Sequence, residues 1–392
     1  MINILFLNHT SKLGGAELGL MTLIREIDKS RFNVFVILGE DGRLFDLLKT
    51  EDTTVKVLSL YKRILNRRKA AIGIAALFDL PAVFHFFIYV AKIRKFVNMN
   101  NIDVIFTNSL KSFFYGSFVS LFTRKPLVWY LHDILSSEHF TFVARRLILI
   151  LSSSADIILC ISQAVKGSLL RIDDKRCFVF YYPFDFKRLA ADTDLNKIKS
   201  ELGIGVDEKV ISLIGRISPW KGQDVFIKAS SIVDRTFGKV RFLIVGDALF
   251  GEEEYKNHLF DLVKDLDVRD KIIFTGYRDD IGNILSISDI VVHTSTKEEP
   301  FGRIVIEAMA SGKPVIATTR GGHREIMTAK MGMLIEPNDT RLLAEKISFL
   351  LSDSQAAESF GKEARETALR RFDAKRTIRD VEQIVLAVLK NR

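Results

Sequence analysis

Residues 289–318 read DIVVHTSTKEEPFGRIVIEAMASGKPVIAT, and they give the clearest indication of the fold. Residues 289–293 form a short apolar run, which predicts a strand, and the spacing of the apolar residues over 303–311 predicts a helix. Gly312 is placed to end that helix, and residues 314–318 form a second apolar run. A strand, a helix and another strand in this order predict a βαβ unit on a parallel sheet.

The same alternation of apolar runs and helix-length amphipathic stretches recurs along the whole chain. The predicted strands are residues 2–8, 33–38, 103–107, 127–131 and 156–161 in the first half, and 210–215, 240–246, 271–274, 289–293 and 314–318 in the second. The linker is predicted at 181–196, where the apolar periodicity is lost. The predicted fold class is therefore α/β, with two doubly wound Rossmann-like domains that face each other across a cleft.

Composition narrows the class of protein. The 392 residues are 48% hydrophobic and 27% charged, with 23 Gly and 7 Pro, which excludes collagenous, low-complexity and disordered chains. The two cysteines, Cys160 and Cys177, cannot form a disulfide framework, so a reducing compartment is expected and a structural zinc site is not. Residues 1–9 read as a strand rather than as a signal peptide, which predicts a cytoplasmic location.

Positive charge and phenylalanine are concentrated in the first half of the chain. Residues 1–188 hold 26 Lys+Arg against 16 Asp+Glu, and 20 of the 30 Phe precede residue 190. Cations and aromatic residues together indicate an anionic membrane or an anionic ligand as the partner. Nucleic acid is not expected as a partner, because no RRM or helix-turn-helix signature occurs.

Residues 70–91 are nearly all apolar and have basic clusters on both sides, at 67–69 and 92–95. As a helix the stretch would be about 33 Å long, enough to cross a bilayer. Asp79 and Pro81 argue against a span, because a carboxylate within the bilayer costs about 2.5 to 3.5 kcal/mol. Two alternatives stay open: a buried pair of core helices, and an interfacial hairpin that inserts aromatic residues among the acyl chains. The inserted residues would be Phe84, Phe86, Phe87 and Tyr89.

Two loops are predicted to bind an anion. Gly14 and Gly15 lie between the first predicted strand and a helix, where backbone N–H groups can approach a negative charge. Arg216 follows the strand at 210–215, and Lys221 comes five residues later. Either cation alone is more often a solvated surface residue, but together they suit a leaving diphosphate at the carboxyl edge of the sheet.

Two carboxylates, Glu299 and Glu307, belong to the stretch that opened this section. Glu299 is predicted to lie in the loop before the helix, where it can contact sugar hydroxyls or the attacking group. Glu307 is predicted in the most apolar part of the helix, where an unpaired carboxylate is costly. A carboxylate can accept two hydrogen bonds from a vicinal diol, so Glu307 is a candidate for binding ribose.

These motifs together resemble glycosyltransferase family 4. The resemblance rests on GGAE at 14–17, GR at 215–216 with KG at 221–222, EPFGRIVIEAMASGKPVIA at 299–317 and GGHRE at 321–325. It implies a GT-B fold and a retaining, metal-independent transfer of a hexose from a nucleotide diphosphate sugar, with no cofactor. It also implies an acceptor-side domain over 1–186, a returning C-terminal helix over 374–392, and a nucleotide-sugar-binding domain over 187–373.

The resemblance also assigns roles by position. Gly15 would approach the donor, Arg216 and Lys221 would neutralise its phosphates, and His132 would lie near the transferred sugar. Glu299, with the backbone of Phe301 and Gly302, would hold the hexose, and Glu307 would bind ribose. The catalytic candidates are His132, Arg216, Lys221 and Glu299, and the donor-binding candidates are Gly14, Gly15, Arg216, Lys221, Glu299, Phe301, Gly302 and Glu307. The two D-x-D strings, at 192–194 and 265–267, are interpreted as solvated surface, so no metal ligand is predicted.

The sequence excludes one alternative function and leaves two others open. A dinucleotide-dependent dehydrogenase is excluded, because no predicted strand is followed by G-x-G-x-x-G. A GT-B nucleotide-sugar epimerase or hydrolase remains an alternative, as does an inactive membrane-docked partner subunit. The basic, aromatic first half predicts a lipid-linked saccharide as acceptor, used in surface polysaccharide or glycolipid synthesis by a protein that is peripheral on the inner face of the membrane.

Overall fold

A computed structural model describes residues 1–66, 79–169, 172–190, 194–249 and 251–390. The chain divides into two compact units. The first unit comprises Met1–Phe184 together with Ala374–Arg392, and the second comprises Asp185–Asp373. Each unit is built on one parallel sheet with helices between successive strands.

The first unit contains, over its described residues, a seven-stranded parallel sheet in the order β3-β2-β1-β4-β5-β6-β7. Its strands are β1 (Ile2–Asn8), β2 (Phe32–Leu38), β3 (Thr54–Val57), β4 (Val104–Thr107), β5 (Leu127–Leu131), β6 (Ile157–Cys160) and β7 (Cys177–Val179). Its helices up to the unit boundary are α1 (Gly15–Glu26), α2 (Arg43–Leu48), α3 (Lys62–Asn66), α4 (Leu80–Met99), α5 (Leu110–Thr123), α6 (Phe142–Leu151) and α7 (Gln163–Gly167). The strand order reverses between β1 and β4, so the loops that follow these two strands diverge to opposite faces of the sheet.

The second unit repeats this topology with six strands in its described part, in the order β10-β9-β8-β11-β12-β13. The strands are β8 (Lys209–Ile214), β9 (Val240–Val245), β10 (Ile272–Gly276), β11 (Ile290–His293), β12 (Val315–Thr318) and β13 (Gly332–Ile335). The helices are α8 (Leu195–Glu201), α9 (Gln223–Asp234), α10 (Glu253–Asp265), α11 (Ile281–Ile287), α12 (Arg303–Ala310), α13 (His323–Ile326), α14 (Thr340–Ser352) and α15 (Ser354–Arg371). A last helix, α16 (Ala374–Lys390), belongs to the first unit. Here the strand order reverses between β8 and β11, which makes the edge beside their carboxyl ends the expected ligand site.

The hydrophobic cores explain why these strands form. The central strands of both sheets are buried almost without interruption, as continuous apolar runs require when helices cover both faces. In the second unit, α9 and α14 pack on the sheet, where Phe226 and Phe242 meet with ring centroids 5.9 Å apart. All ten predicted strands are present, with ends shifted by at most two residues, and the prediction of two doubly wound α/β domains is confirmed.

Only part of the apolar segment 70–91 lies within the described residues, since 67–78 fall outside them. Asp79 accepts a hydrogen bond from the Ala82 amide as the N-cap residue of α4, and Pro81 lies in the first turn. One face of α4 packs on α5, where the rings of Tyr89 and Tyr115 lie 5.0 Å apart. The side chains of Leu80, Phe84 and Phe87 on the same helix are 73%, 66% and 46% exposed. Tyr89 was predicted to insert among the acyl chains, but it is only 2% exposed, so that part of the prediction is wrong. None of the described helices is sufficiently long and apolar to cross a membrane.

Candidate active site

The carboxyl edge of the second sheet holds two loops that are hydrogen-bonded to each other. The first loop runs from β8 to α9 and contains Lys221, and the second runs from β11 to α12 and contains Glu299. Thr294 Oγ1 lies 2.9 Å from the carbonyl oxygens of both Lys221 and Gly222. The Thr296 amide donates to the Trp220 carbonyl at 2.8 Å. These bonds fix the two loops at the point where the strand order reverses.

Lys221 and Glu299 form a buried ion pair between these loops. Lys221 Nζ lies 2.6 Å from Glu299 Oε2, and the two side chains are 16% and 10% exposed. The Ser295 hydroxyl donates to the same carboxylate oxygen at 3.0 Å. Burial by itself would raise the pKa of the Glu299 carboxyl, but the Lys221 ammonium overcomes this effect and lowers that pKa to about 2. Glu299 is therefore a firmly ionised carboxylate with its counterion already in place.

Two histidines that the sequence analysis did not propose as site residues surround this pair. His293, at the end of β11, places Nε2 3.6 Å from Glu299 Oε2, and its ring centroid lies 4.5 Å from that of His323. His323 is buried and bonds the Thr318 carbonyl oxygen through Nδ1 at 2.9 Å. Burial lowers the pKa of both imidazoles, so both are neutral rings at neutral pH. The sequence did contain a signal for His293, because this residue is an ionisable side chain at the end of the apolar run 289–293.

The remaining donor-binding candidates of the second unit lie on the same loops or on α12. Arg216 follows β8, and burial lowers the pKa of its guanidinium. Its carbonyl accepts a hydrogen bond from the Gln223 amide side chain at 2.9 Å. Phe301 is buried, and Gly302 is the N-cap residue of α12. The structure thus brings Lys221, Glu299, Phe301 and Gly302 to one sheet edge, with Arg216 on the same loop as Lys221.

Glu307 has a partner that the sequence analysis missed. Arg303 Nη2 donates to Glu307 Oε1 at 2.9 Å within α12, and both side chains are mostly buried. This mostly buried carboxylate is therefore neutralised by a cation one helical turn earlier. The i,i+4 spacing of the two residues could have revealed this pair.

The first unit holds the other candidates, also at the carboxyl edge of its sheet. Gly14 is the N-cap residue of α1 in an extended conformation, and Gly15 begins the helix. His132 follows β5, with Nε2 3.1 Å from Asn108 Oδ1 and Nδ1 2.7 Å from the Tyr182 hydroxyl. Asn108 in turn donates to the Ala16 carbonyl, 3.3 Å away, in the first turn of α1. Hydrogen bonds thus connect His132 to the start of the glycine-initiated helix.

Metal binding was not predicted from either D-x-D string. Of the first string only Asp194 is described, as the N-cap residue of α8, and the second lies at the exposed end of α10. Within the described ranges, no group of three or more His, Cys, Asp or Glu side chains could hold a metal ion.

Comparison with known proteins identifies the family. Residues 13–188 match the model of Glycosyltransferase Family 4, and residues 194–367 match that of Glycosyl transferases group 1. The chain belongs to glycosyltransferase family 4. The structure of Anabaena Alr3699/HepE in complex with UDP and glucose is similar with a TM-score of 0.86 and 30% identity, over 98% of this chain and 99% of that one. The predicted family and the GT-B fold class are confirmed.

Curated relatives match over a shorter stretch. N-acetyl-alpha-D-glucosaminyl L-malate synthase of Bacillus anthracis is 32% identical over 212 residues, which is 54% of each chain. Spore coat protein SA of Bacillus subtilis is 31% identical over 50% of this chain and 52% of its own length. The chain thus spans about half the length of the curated relatives it matches.

The lowered pKa of Glu299 predicts a loss of stability in acid. Because the pKa is 4.5 in the unfolded chain and about 2 in the folded one, the carboxylate contributes its full stabilisation above pH 4.5, and this is lost as the pH falls through 2. The difference in free energy of unfolding between wild type and Glu299→Gln should therefore change by about 3 kcal/mol across that window. Denaturant unfolding at a series of pH values measures it. Glu345→Gln, at an exposed ion pair, is the control and should show no comparable change.

Proposed function

We propose that this chain is a retaining, metal-independent glycosyltransferase that moves a hexose from a nucleotide diphosphate sugar to an acceptor hydroxyl. The observation that carries the proposal is the buried Lys221–Glu299 pair on two mutually bonded loops, at the sheet edge where a doubly wound fold binds ligands. A cation held in a dry, fixed position stabilises charge that develops on a leaving diphosphate without having to reorganise.

The ionisation of Glu299 bears on the proposed mechanism. A carboxylate with a pKa of about 2 is a weak base at neutral pH, so Glu299 is poorly suited to remove the acceptor proton. Its suitable role is to orient sugar hydroxyls while it keeps Lys221 in position. In the proposed reaction the departing phosphate oxygen takes the acceptor proton, and Arg216 and Lys221 neutralise the phosphates. The remaining contributions come from positioning, with Phe301 and Gly302 beside the hexose, Glu307 at the ribose, and Gly14 and Gly15 near the donor.

The first unit would contribute His132 to the same reaction and would bind the acceptor. A neutral imidazole beside the transferred sugar adds no positive charge to the site. The proposed division of labour gives the acceptor to residues 1–186 with the C-terminal helix, and the nucleotide sugar to residues 187–373.

The donor class is proposed as a nucleotide diphosphate hexose, with UDP-glucose as the first to test because HepE was solved with it. Thermal midpoints measured with UDP, GDP, ADP and their glucose conjugates should rise for one nucleotide. A ligand at 100 times its dissociation constant stabilises the folded state by about 2.7 kcal/mol. Product analysis in excess EDTA, with and without a saccharide acceptor, then tests the reaction. Sugar release or epimerisation that ignores the acceptor would contradict transfer, and dependence on an added divalent ion would contradict metal independence.

A lipid-linked saccharide acceptor at an anionic membrane surface is proposed from the exposed residues of the first unit. Helices α4 and α5 pack together and expose the apolar residues Leu80, Phe84, Phe87, Leu121 and Phe122. Helix α6 exposes Phe142 and Ile150 beside Arg145 and Arg146. Exposed aromatic side chains next to cations suit the interface of an anionic bilayer, where each nearby cation contributes about 1 kcal/mol.

Membrane binding should respond to two separate changes. Replacing Phe84 and Phe87 by Ser should weaken flotation with anionic vesicles at both low and high salt, because salt does not screen an apolar contribution. Replacing Arg94 and Lys95 by Glu should weaken it mainly at low salt. Phe349→Ser, a similarly exposed phenylalanine of α14, is the control and should float like wild type. Wild-type protein that fails to float at low salt would remove the support for a lipid-linked acceptor.

A further inference from the structure

Tyr182 is a buried residue of the segment between β7 and the boundary of the first unit, and its ring lies against His132. The two ring planes are 14° apart, with centroids separated by 5.3 Å. Helix α1 accommodates the tyrosine through Gly19, where a Cβ atom would lie only 2.4 Å from Tyr182 Cδ1. The Tyr182 hydroxyl lies 2.7 Å from His132 Nδ1. The fold therefore makes room for this tyrosine and directs its hydroxyl at one particular nitrogen.

The other imidazole nitrogen, Nε2, faces the side-chain amide of Asn108, whose orientation is fixed by its own hydrogen bonds. Asn108 Nδ2 lies 3.3 Å from the Ala16 carbonyl oxygen and 3.3 Å from Asn8 Oδ1. A carbonyl oxygen only accepts hydrogen bonds, so the amide nitrogen of Asn108 must point to Ala16. Asn108 Oδ1 is then the atom that lies 3.1 Å from His132 Nε2. Because this oxygen only accepts, His132 Nε2 must carry the hydrogen.

The assignment of Nε2 determines the role of Nδ1. A neutral imidazole with hydrogen on Nε2 has a lone pair on Nδ1, which accepts a hydrogen bond. The Tyr182 hydroxyl is in position to donate that bond. If His132 were instead an imidazolium, both nitrogens would be donors and the tyrosine hydrogen would lose this acceptor.

The same chain of hydrogen bonds reaches the glycine motif. Asn8 Nδ2 donates to the Thr10 carbonyl at 2.8 Å and lies 3.3 Å from Glu17 Oε1. Glu17 is buried in the first turn of α1, two residues after Gly15. The roles assigned by family resemblance leave Glu17 without a function. In the structure, Glu17 lies at one end of this series of hydrogen bonds and Tyr182 lies at the other.

We propose that Tyr182 is a positioning residue that, by donating a hydrogen bond to Nδ1, keeps His132 neutral and its ring oriented towards the glycine motif, while Asn108 holds the hydrogen on Nε2. This inference rests on the proposed role of His132 beside the transferred sugar. With Tyr182 in place, His132 donates its Nε2 hydrogen to Asn108 in a fixed direction and adds no positive charge to the site. Without the tyrosine hydroxyl, Nδ1 loses its hydrogen-bond donor, so the ring can take up a proton on Nδ1 or rotate.

The test compares two tyrosines that contact the same imidazole. Tyr182→Phe keeps the aromatic ring and removes the hydroxyl. Tyr130→Phe is the matched control, because the Tyr130 ring lies 4.2 Å from that of His132 while its hydroxyl donates to the Phe180 carbonyl instead. The ring nitrogens of His132 are observed by NMR in protein with ¹⁵N-labelled histidine. The seven histidines are resolved by comparison with His132→Gln.

The wild-type protein and Tyr130→Phe should both show a neutral His132 with hydrogen on Nε2. Tyr182→Phe should take up a proton on Nδ1 at a higher pH than the wild type, and its kcat should fall about tenfold while the donor KM stays within about twofold, as expected for one lost hydrogen bond. A wild-type or Tyr182→Phe spectrum that departs from these expectations would overturn the proposal, as would an unchanged kcat or an equal effect of Tyr130→Phe. The NMR result needs no turnover, so a protein without transferase activity would refute the proposed function while the tautomer is still tested.

Discussion

Replacing Lys221 by alanine is expected to lower turnover about a hundredfold or more, because it removes a preorganised cation from the leaving diphosphate. It should also lower the free energy of unfolding, since the Glu299 carboxylate, with a side chain only 10% exposed, would remain buried without its counterion. Breaking a buried pair on one side typically costs about 3 to 5 kcal/mol. Steady-state kinetics and denaturant unfolding of the same preparation measure both effects. Arg216→Ala should show the kinetic loss while the Lys221–Glu299 pair stays intact.

The two effects of Lys221→Ala can be separated. The double variant Lys221→Met with Glu299→Gln buries no charge at this position, so it should recover much of the stability but none of the turnover. Lys228→Ala, which breaks a partly exposed pair with Asp224 on α9, is the control and should change neither quantity appreciably. Full activity in a folded Lys221→Ala protein would sink the assignment of Lys221 to the diphosphate.

The strands that could be predicted from the sequence are those that are buried and therefore consist almost entirely of apolar residues. A strand covered on both faces must be apolar throughout, and β1 and β8 show this directly. The strands missed by the prediction are β3, β7 and β13, each at the edge of its sheet in the described structure. Strand β3 mixes polar and apolar residues that are half-buried or exposed, whereas β7 and β13 are apolar runs of only three and four residues, too short to show a period.

In the candidate site, the residues could be predicted from the sequence but the contacts between them could not. Lys221 and Glu299 were each recognised from their local motifs, but their pairing was not, because 78 residues separate them in the chain. Only the strand order brings β8 beside β11 and so joins the two loops. His132 was recognised in the same way, whereas its partner Tyr182 lies 50 residues away and carries no motif. Local patterns predict which residues are unusual, and topology decides what they contact.

Gly321→Ala is expected to destabilise the protein by more than about 3 kcal/mol and to lower turnover strongly in the fraction that stays folded. Gly321 has φ of +83°, and a Cβ atom there would lie 2.1 Å from the Glu299 carbonyl oxygen and 2.7 Å from its amide nitrogen. The neighbouring Gly322 amide also donates to the Glu299 carbonyl at 2.8 Å. The substitution must therefore displace the backbone that carries the Glu299 carboxylate. Denaturant unfolding and initial rates measure the two losses.

Gly203→Ala separates the backbone strain from the steric clash. Gly203 has a similar φ of +66°, but nothing lies within 4 Å of the position its Cβ would occupy. This control should therefore cost only about 1 kcal/mol, the usual penalty of a left-handed conformation for alanine, and should leave turnover unchanged. The additional loss of stability in Gly321→Ala then measures the cost of the steric clash with the Glu299 backbone. Equal stability of the two variants, with activity retained in both, would mean that the Gly321–Gly322 segment does not hold Glu299 in place.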